Sequence, residues 1–392
     1  AEGAERARDG YLARLTGLRP GQQLKTFDPE ELRRRLEQTG HFRDVSLPRL
    51  VVSGDSAAIR FVVREEAPGS FDLAFGYLPG GSAGSLAGSG HLDLRNPLGY
   101  GRRFSANLER LPGQTSRVEL SASDPYVLGT SMHGAVSFAG YQQDSLFHRQ
   151  RFGIEMGFDL GGGLLAVGAA TREATRPGVA GLQIDGSRQR IARTHGSMLG
   201  LGFRYSRIDN AVSPSRGLVV DLFAERGIRS QRLTRVVNGT PVREDRAIRQ
   251  DRLEFLLRSY SRLSRRGVAV VGLDLRALIS DEYDRSDLYR VGGLRTLRGY
   301  DDDLFLARAV GRTLLEYRHR LERRSYLFGF VDGAYLDRPP SVSLDGFSAA
   351  RLGYGVGMQF DTGISLMNIV LATNPIDGFG STRVHAGLSF GL

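Results

Sequence analysis

Arg351-Leu352-Gly353-Tyr354-Gly355-Val356-Gly357-Met358-Gln359-Phe360 is the stretch that decides how this chain folds. Leu352, Tyr354, Val356, Met358 and Phe360 fall on one side of it, and Arg351, Gly353, Gly355, Gly357 and Gln359 on the other. A period of two puts successive side chains on opposite faces of an extended strand, so this strand has an apolar face and a small or polar one.

The same period recurs in both directions along the chain. Val384, Ala386, Leu388, Phe390 and Leu392 oppose Arg383, His385, Gly387, Ser389 and Gly391. Val271, Leu273, Leu275, Ala277 and Ile279 oppose Gly272, Asp274 and Arg276, and Phe71, Leu73, Phe75 and Tyr77 oppose Asp72, Ala74 and Gly76. Sixteen such runs fill the chain after residue 68, the first over 70–78, two in the middle over 217–229 and 247–262, the last over 380–392. Their connections alternate in length. Asn96-Pro97-Leu98-Gly99, Asp124-Pro125-Tyr126 and Ser213-Pro214-Ser215-Arg216-Gly217 are tight, whereas 174–193, 230–246 and 280–308 are long. An even strand count, one apolar face, and short turns opposite long loops predict a 16-stranded antiparallel transmembrane β-barrel over residues 68–392. The soluble alternatives are a sandwich or a four-bladed propeller, but no repeat of 40–50 residues supports a propeller.

Residues 1–67 read differently. Ala4 to Leu15 has helical spacing, and Gly17-Leu18-Arg19-Pro20-Gly21 breaks it. Asp28-Pro29-Glu30-Glu31 is a helix start: Asp28 caps, Pro29 suits the first helical position, and Glu31 is placed to complete a capping box. Gly40 closes that helix. Phe42–Leu47 and Ala58–Glu65 then read as a hairpin about Gly54-Asp55. The result is a small α+β domain, with Ala67-Pro68-Gly69 as its boundary.

Composition limits the function classes. With no Cys among 392 residues, disulfide frameworks, thiolate metal sites and cysteine nucleophiles are excluded together. The net charge is +10, almost all of it Arg, since Lys25 is the only lysine. These arginines are interleaved with Asp and Glu, with no basic block interspersed with aromatics, which argues against nucleic acid. No run approaches the ~18 apolar residues of a transmembrane helix, and mean hydropathy is slightly negative.

Within the 280–308 connection stands Val291-Gly292-Gly293-Leu294-Arg295-Thr296-Leu297-Arg298-Gly299-Tyr300. Ordered connections of that length are uncommon and usually functional. Arg298 offers a planar fork suited to a bidentate carboxylate contact, and Glu316 and Asp332 follow on the next two runs. This predicts a loop folded inward and pinned by Arg298; the plain alternative is an exposed Arg-Gly turn.

These residues resemble the BamA/TamA/two-partner-secretion superfamily of outer-membrane insertases and translocases. Gly40, Phe42 and Val45 match the G-x-F-x-x-V element of its periplasmic POTRA module. Asn96–Arg102, Asp124–Tyr126 and Asp209-Asn210 with Pro214–Gly217 resemble its turns. Arg298-Gly299-Tyr300 matches the [V/L]-R-G-[F/Y] element of its sixth outer loop, whose Arg reaches carboxylates at the positions of Glu316 and Asp332. The F-x-D-x-G element becomes Phe330-Val331-Asp332-Gly333-Ala334, with Ala334 in place of Gly. The chain ends in Leu392 rather than Phe, with Phe390 two residues before. No first POTRA strand precedes the Ala4 helix, which implies a longer chain upstream.

The resemblance implies a bacterial outer-membrane protein that is not an enzyme and uses no cofactor. It further implies unfolded outer-membrane protein clients, contact with the lipid bilayer and with periplasmic accessory proteins, and no nucleic acid. The favoured activity is β-barrel assembly through a weak seam between the first and last strands, carried by Phe71, Phe75, Gly76, Gly387, Leu388 and Phe390. A two-partner-type polypeptide secretion pore, or the anchoring barrel of a larger surface or patatin-type protein, are the alternatives. Other motifs add little. Gly80-Gly81-Ser82-Ala83-Gly84 matches G-x-S-x-G but no helix follows it. Asp301-Asp302-Asp303 reads as a solvated acidic loop end before a cation site. The seven histidines lack metal-ligand spacing, and Asn238-Gly239-Thr240 reads as a turn before a sequon.

Overall fold

Alternating apolar and polar side chains leave a strand stable in lipid only if every backbone group is paired, and closing the sheet on itself achieves that. The computed structural model describes residues 1–17, 21, 27–54, 56–78, 85–110, 115–210, 213–322, 324–341, 344–362, 365–378, 380 and 382–391. Gly80–Gly84 and Leu392 lie outside them, and for Phe75, Gly76, Leu388 and Phe390 the backbone alone is described. The barrel strands are β1 (Gly69–Leu78), β2 (Ser85–Arg95), β3 (Arg103–Arg110), β4 (Ser116–Asp124), β5 (Met132–Gln143), β6 (Phe147–Gly161), β7 (Leu164–Pro177) and β8 (Arg193–Ile208). They continue as β9 (Gly217–Val237), β10 (Thr240–Arg262), β11 (Gly267–Ser280), β12 (Ala309–Arg320), β13 (Tyr326–Arg338), β14 (Phe347–Asp361), β15 (Ser365–Thr373) and β16 (Arg383–Gly391). Each pairs antiparallel with the next, and β16 returns to β1, so the sixteen form a closed barrel.

Burial follows the period. On β8, Leu199, Leu201 and Phe203 face outward and are 72%, 75% and 51% exposed, as lipid-facing groups are in a bare chain. The inward face carries charge that neutralises itself: Arg151 donates to Glu225 at 2.6 Å, Arg252 to Glu173 at 2.9 Å, and Arg204 to Glu155 at 2.8 Å. Paired ions of this kind can line an interior that lone ions could not.

Among the barrel connections, one sequence expectation fails. The 230–246 stretch is not a loop; β9 and β10 run on through it and turn on Asn238-Gly239 alone, with Val237 opposite Thr240. Positive φ at both residues (51° and 77°) is the geometry of a primed two-residue turn, which Asn-Gly favours. Each face there mixes apolar and polar residues, Leu233 and Val237 beside Gln231 and Arg235 on one and Val236 beside Arg232 on the other, so the apolar alternation disappears although the strand does not.

The N-terminal unit packs α1 (Asp9–Thr16) and α2 (Pro29–Gln38) against Phe42–Val45 and Val63–Glu65, burying Tyr11, Leu12, Leu36, Phe42, Val45, Phe61 and Val63. Helix α1 starts at Asp9 rather than near Ala4, because the preceding residues are extended and Glu2 bridges Val62 in parallel. The Asp28 carboxylate caps α2 by accepting from the backbone N–H groups of Glu30 and Glu31. Glu31 itself pairs with Arg35 at 3.1 Å. The hairpin comes in two pieces, because Arg49–Ser53 pairs with Ser56–Arg60 separately. This unit sits against one rim of the barrel. Arg8 N–H donates to Gly99 O at 3.0 Å, the Tyr11 and Tyr126 rings meet edge to face at 6.0 Å, and a Cβ on Gly101 would collide with the Tyr11 ring.

Candidate functional site

The connection between β11 and β12 folds into the lumen. Its stem is a short hairpin, Tyr289–Val291 against Phe305–Ala307, and its tip turns on Gly292 and Gly293, both at positive φ. Gly293 N–H donates to Tyr300 O at 3.1 Å, which closes the tip upon itself. Val291, Leu297, Tyr300 and Ala307 pack on Val310, Ala334 and Leu336 of the wall, giving the tip an apolar seat beside its ionic one.

Arg298 occupies the centre of that tip and is almost fully buried. Its Nε and Nη2 donate to the two carboxylate oxygens of Asp332 at 2.8 and 2.7 Å, and Nη1 donates to Glu316 at 2.9 Å. The Arg298 backbone N–H reaches Asp332 as well, at 3.2 Å. The guanidinium lies over the Phe330 ring, 3.5 Å from its centroid, so one side chain combines a bidentate pair with a cation–π contact. Glu316 is shared with Arg318 at 2.8 Å. Of the residues that sequence reading placed here, Arg298, Glu316, Asp332 and Phe330 meet directly.

Gly299 has φ of 90°, and a Cβ there would overlap Thr373 O, so the position excludes a side chain twice over. Its carbonyl accepts from Asn374 Nδ2 and Arg383 Nη1, each at 2.7 Å. Tyr300 Oη donates to Leu352 O at 3.1 Å. The glycines of the β14 stretch now have a reason. A Cβ on Gly353 would meet the Arg298 carbonyl, and Cβ atoms on Gly355 and Gly357 would meet the Phe330 and Phe328 rings. Sequence reading treated those glycines only as the inner face of a strand. Three small residues in a row on the lumen side were the available signal for a backbone approaching closely.

Asn374, Arg383 and Arg117 were also missed, since each acts across strands that sequence spacing does not join. Asp301 and Asp302 are exposed, as a solvated loop end would be, but the acidic run also has arginine partners. Asp301 accepts from Arg383 at 2.7 Å, while Asp303 accepts from Arg117 on β4 at 2.8 Å and from Tyr141 Oη at 3.3 Å. The loop thus spans the lumen to its far wall. The stem is held by a buried Arg229–Asp287 pair and by Arg149 donating to Ser286 O at 2.7 Å. A cavity of about 390 Å³ remains beside the tip, lined among others by Arg117, Arg276, Arg290 and Glu109.

The barrel closes on an unusually short ladder. Among the described residues β16 and β1 share four pairs, Leu388 with Leu73, Ser389 with Asp72, Phe390 with Phe71, and Gly391 with Ser70. β1 and β2 share ten. Phe75, Gly76 and Gly387 lie beyond the last seam pair, where the two strands separate. Beside the seam, Asp72 Oδ1 and His385 Nε2 are buried without a hydrogen-bond partner among the described residues. In the N-terminal unit, Gly40 takes φ of 69° after α2, and Phe42 and Val45 are core residues.

Residues 96–392 match the model of the Omp85 superfamily domain. Among solved structures, the chain resembles BamA from Haemophilus ducreyi lacking POTRA domains 1–3, at 16% identity and a TM-score of 0.54 over 99% of this chain and 82% of that one. It also resembles CdiB from Acinetobacter baumannii at 14% identity and a TM-score of 0.59, covering 99% of this chain and 72% of that one. CdiB from Escherichia coli matches at 14% identity and a TM-score of 0.60, covering 99% and 74%. At such identities these likenesses establish a shared fold.

Proposed function

The chain belongs to the Omp85 superfamily, and from that premise we propose that it inserts β-barrel proteins into the bacterial outer membrane through its β16–β1 seam. Residues 1–67 serve as a POTRA-like domain on the periplasmic rim, and residues 68–392 form the inserting barrel. The observation that carries the reading is the four-pair seam. Unpaired backbone groups in hydrocarbon are each unfavourable by several kcal/mol, so the separated halves of β1 and β16 present an edge that an incoming strand can satisfy. An unfolded outer-membrane client adds its strand there by main-chain pairing, a step that requires neither cofactor nor bond chemistry. Arg383 connects this edge to the lumen loop, because it stands on β16 and donates to Gly299 O and Asp301. Loop seating and seam geometry are therefore coupled through one side chain.

The test exploits a chain without cysteine. Cysteines at Leu73 and Leu388, which face each other across the seam, are oxidised to a disulfide, and client insertion into proteoliposomes is followed with and without reductant. The locked barrel should remain folded, lose insertion, and regain it on reduction. Full insertion by the locked protein would remove lateral opening as the mechanism. A secretion pore, by contrast, would continue to pass polypeptide through its lumen with the seam locked.

A further inference from the structure

The outward face of the barrel changes character over five adjacent strands, β6 to β10. One row across them is wholly apolar, with Phe158, Phe203, Leu222 and Phe255 near the N-terminal rim. Ile154 and Leu199 still point outward at 60% and 72% exposure farther along. Beyond them the row of Phe152, Arg172, Ser197, Ile228 and Arg249 mixes apolar and basic groups. Four pairs higher, Arg193 lies opposite Arg232, and Arg176 is one step past the Thr175–Thr194 pair. At a rise near 3.3 Å per residue, the Arg193–Arg232 pair lies about 33 Å of strand beyond the Phe203–Leu222 row, a separation comparable to the ~30 Å thickness of a bilayer's hydrocarbon core.

We infer that this rim, built on Arg172, Arg176 and Arg193 with Arg226, Arg232 and Arg249, is a docking surface for phosphate-bearing lipid headgroups of the outer leaflet. Three arguments fix the occupant. The rim continues the lipid-facing belt on the same strands and lies at the end opposite the N-terminal unit, so lipid headgroups are what it meets. Its charge is one-sided: six arginines stand against Asp245 and Asp251, which pair with Arg232 at 2.7 Å and Arg226 at 2.9 Å. The side chains of Arg172, Arg176 and Arg193 are exposed and make no hydrogen bond or ion pair with the described residues, although most other arginines of this chain are paired. An unpaired guanidinium at a membrane surface is suited to a phosphate monoester, which accepts both arms of the fork. The position also has a use. β8 is half the barrel away from the β16–β1 seam, so headgroups held there fix the wall opposite the opening edge.

The experiment uses the purified full chain in neutral detergent and measures retained lipid by native mass spectrometry. The probes are dioleoyl phosphatidic acid, dioleoyl phosphatidylcholine of the same chains, and inorganic phosphate. Wild type should retain phosphatidic acid over phosphatidylcholine and lose that preference as salt rises. Taking the ~1 kcal/mol per basic residue typical of anionic surfaces, Arg172→Gln/Arg176→Gln/Arg193→Gln should weaken the preferred binding about 100-fold. Equal retention of the two lipids, an unchanged triple variant, or equal occupancy by inorganic phosphate would each overturn the inference. If the triple variant does not fold, the lipid preference and salt dependence of wild type decide. The seam-locked protein should bind these lipids as wild type does, so failure here and failure of the insertion reading are separate results.

Discussion

Replacing Arg298 by Ala removes three charge-assisted hydrogen bonds and a cation–π contact at once. The two acids fare differently. Glu316 keeps Arg318 at 2.8 Å, whereas Asp332 is left with a backbone N–H alone. Its side chain is 4% exposed, so an uncompensated carboxylate remains in a site that excludes water. Breaking one partner out of a buried pair destabilises by about 3–5 kcal/mol. Applied to the seated loop, that raises its unseated fraction on the order of 10²- to 10³-fold, at ~1.4 kcal/mol per decade. Arg285, Arg290 and Arg295 make the loop a substrate for trypsin once it leaves the lumen. When reseating is faster than cleavage, the rate of cutting tracks that open fraction. The Arg298→Ala barrel should stay closed, be cut within the loop at least 100-fold faster, and insert clients poorly. Arg298→Lys should fall between the two, because a point charge keeps one carboxylate and loses the fork. Adding Asp332→Asn to Arg298→Ala should slow cutting again by removing the orphaned charge. Equal cutting rates in wild type and Arg298→Ala would refute the pinning argument, whatever the insertion assay gave.

Gly299→Ala should unseat the same loop with Arg298 intact, since its Cβ meets Thr373 O and its φ of 90° strains any other residue by about 1–3 kcal/mol; accelerated tryptic cutting is the readout. Gly239→Val should fray the Asn238-Gly239 turn, exposing the β9–β10 tip to protease while the membrane-embedded strands stay protected. In the N-terminal unit, burial of His41 and the nearby Arg95 and Arg103 depress its pKa to about 4, with Glu65 and Asp93 opposing, and its Nδ1 shares a hydrogen bond with Tyr11 at 2.8 Å. The unfolded chain binds that proton near pH 6.5, so the unit should be fully stable above 6.5 and lose up to about 3 kcal/mol as pH falls to 4. Proteolytic release of residues 1–67 across that window should show the loss in wild type and not in His41→Gln.

The barrel was legible because lipid imposes one rule on every strand, and Leu352 to Phe360 or Val384 to Phe390 obey it without interference. Legibility ended where that rule ends. Past the wholly apolar rows, Arg232 with Asp245 and Arg226 with Asp251 bind the strands through cross-strand ion pairs, so β9 and β10 persist with no apolar period to reveal them. The Arg298 cluster could be anticipated because Glu316 and Asp332 sit on the next two strands, within reach of a resemblance. Arg117 and Arg383 could not, being 186 residues and 82 residues from the aspartates they hold. The seam was anticipated from weak glycines in the end strands. Its actual limit is the register, since pairing stops at Leu73 and Leu388.

Those long separations bear on the order in which this molecule can form. The loop tip touches β12 and β13, which precede its seat on β14 and β15, and its last ligand, Arg383, belongs to the final strand. Asp303 therefore needs a partner, Arg117, made long before it, while Asp301 waits for Arg383 on the final strand. Contacts that close such large loops form late and slowly. Seating of the tip should then be the terminal, rate-limiting event of this barrel's own maturation. A chain stalled before it would carry unneutralised acids facing its half-built interior, which gives quality-control proteases a physical mark by which to distinguish a finished barrel from an unfinished one.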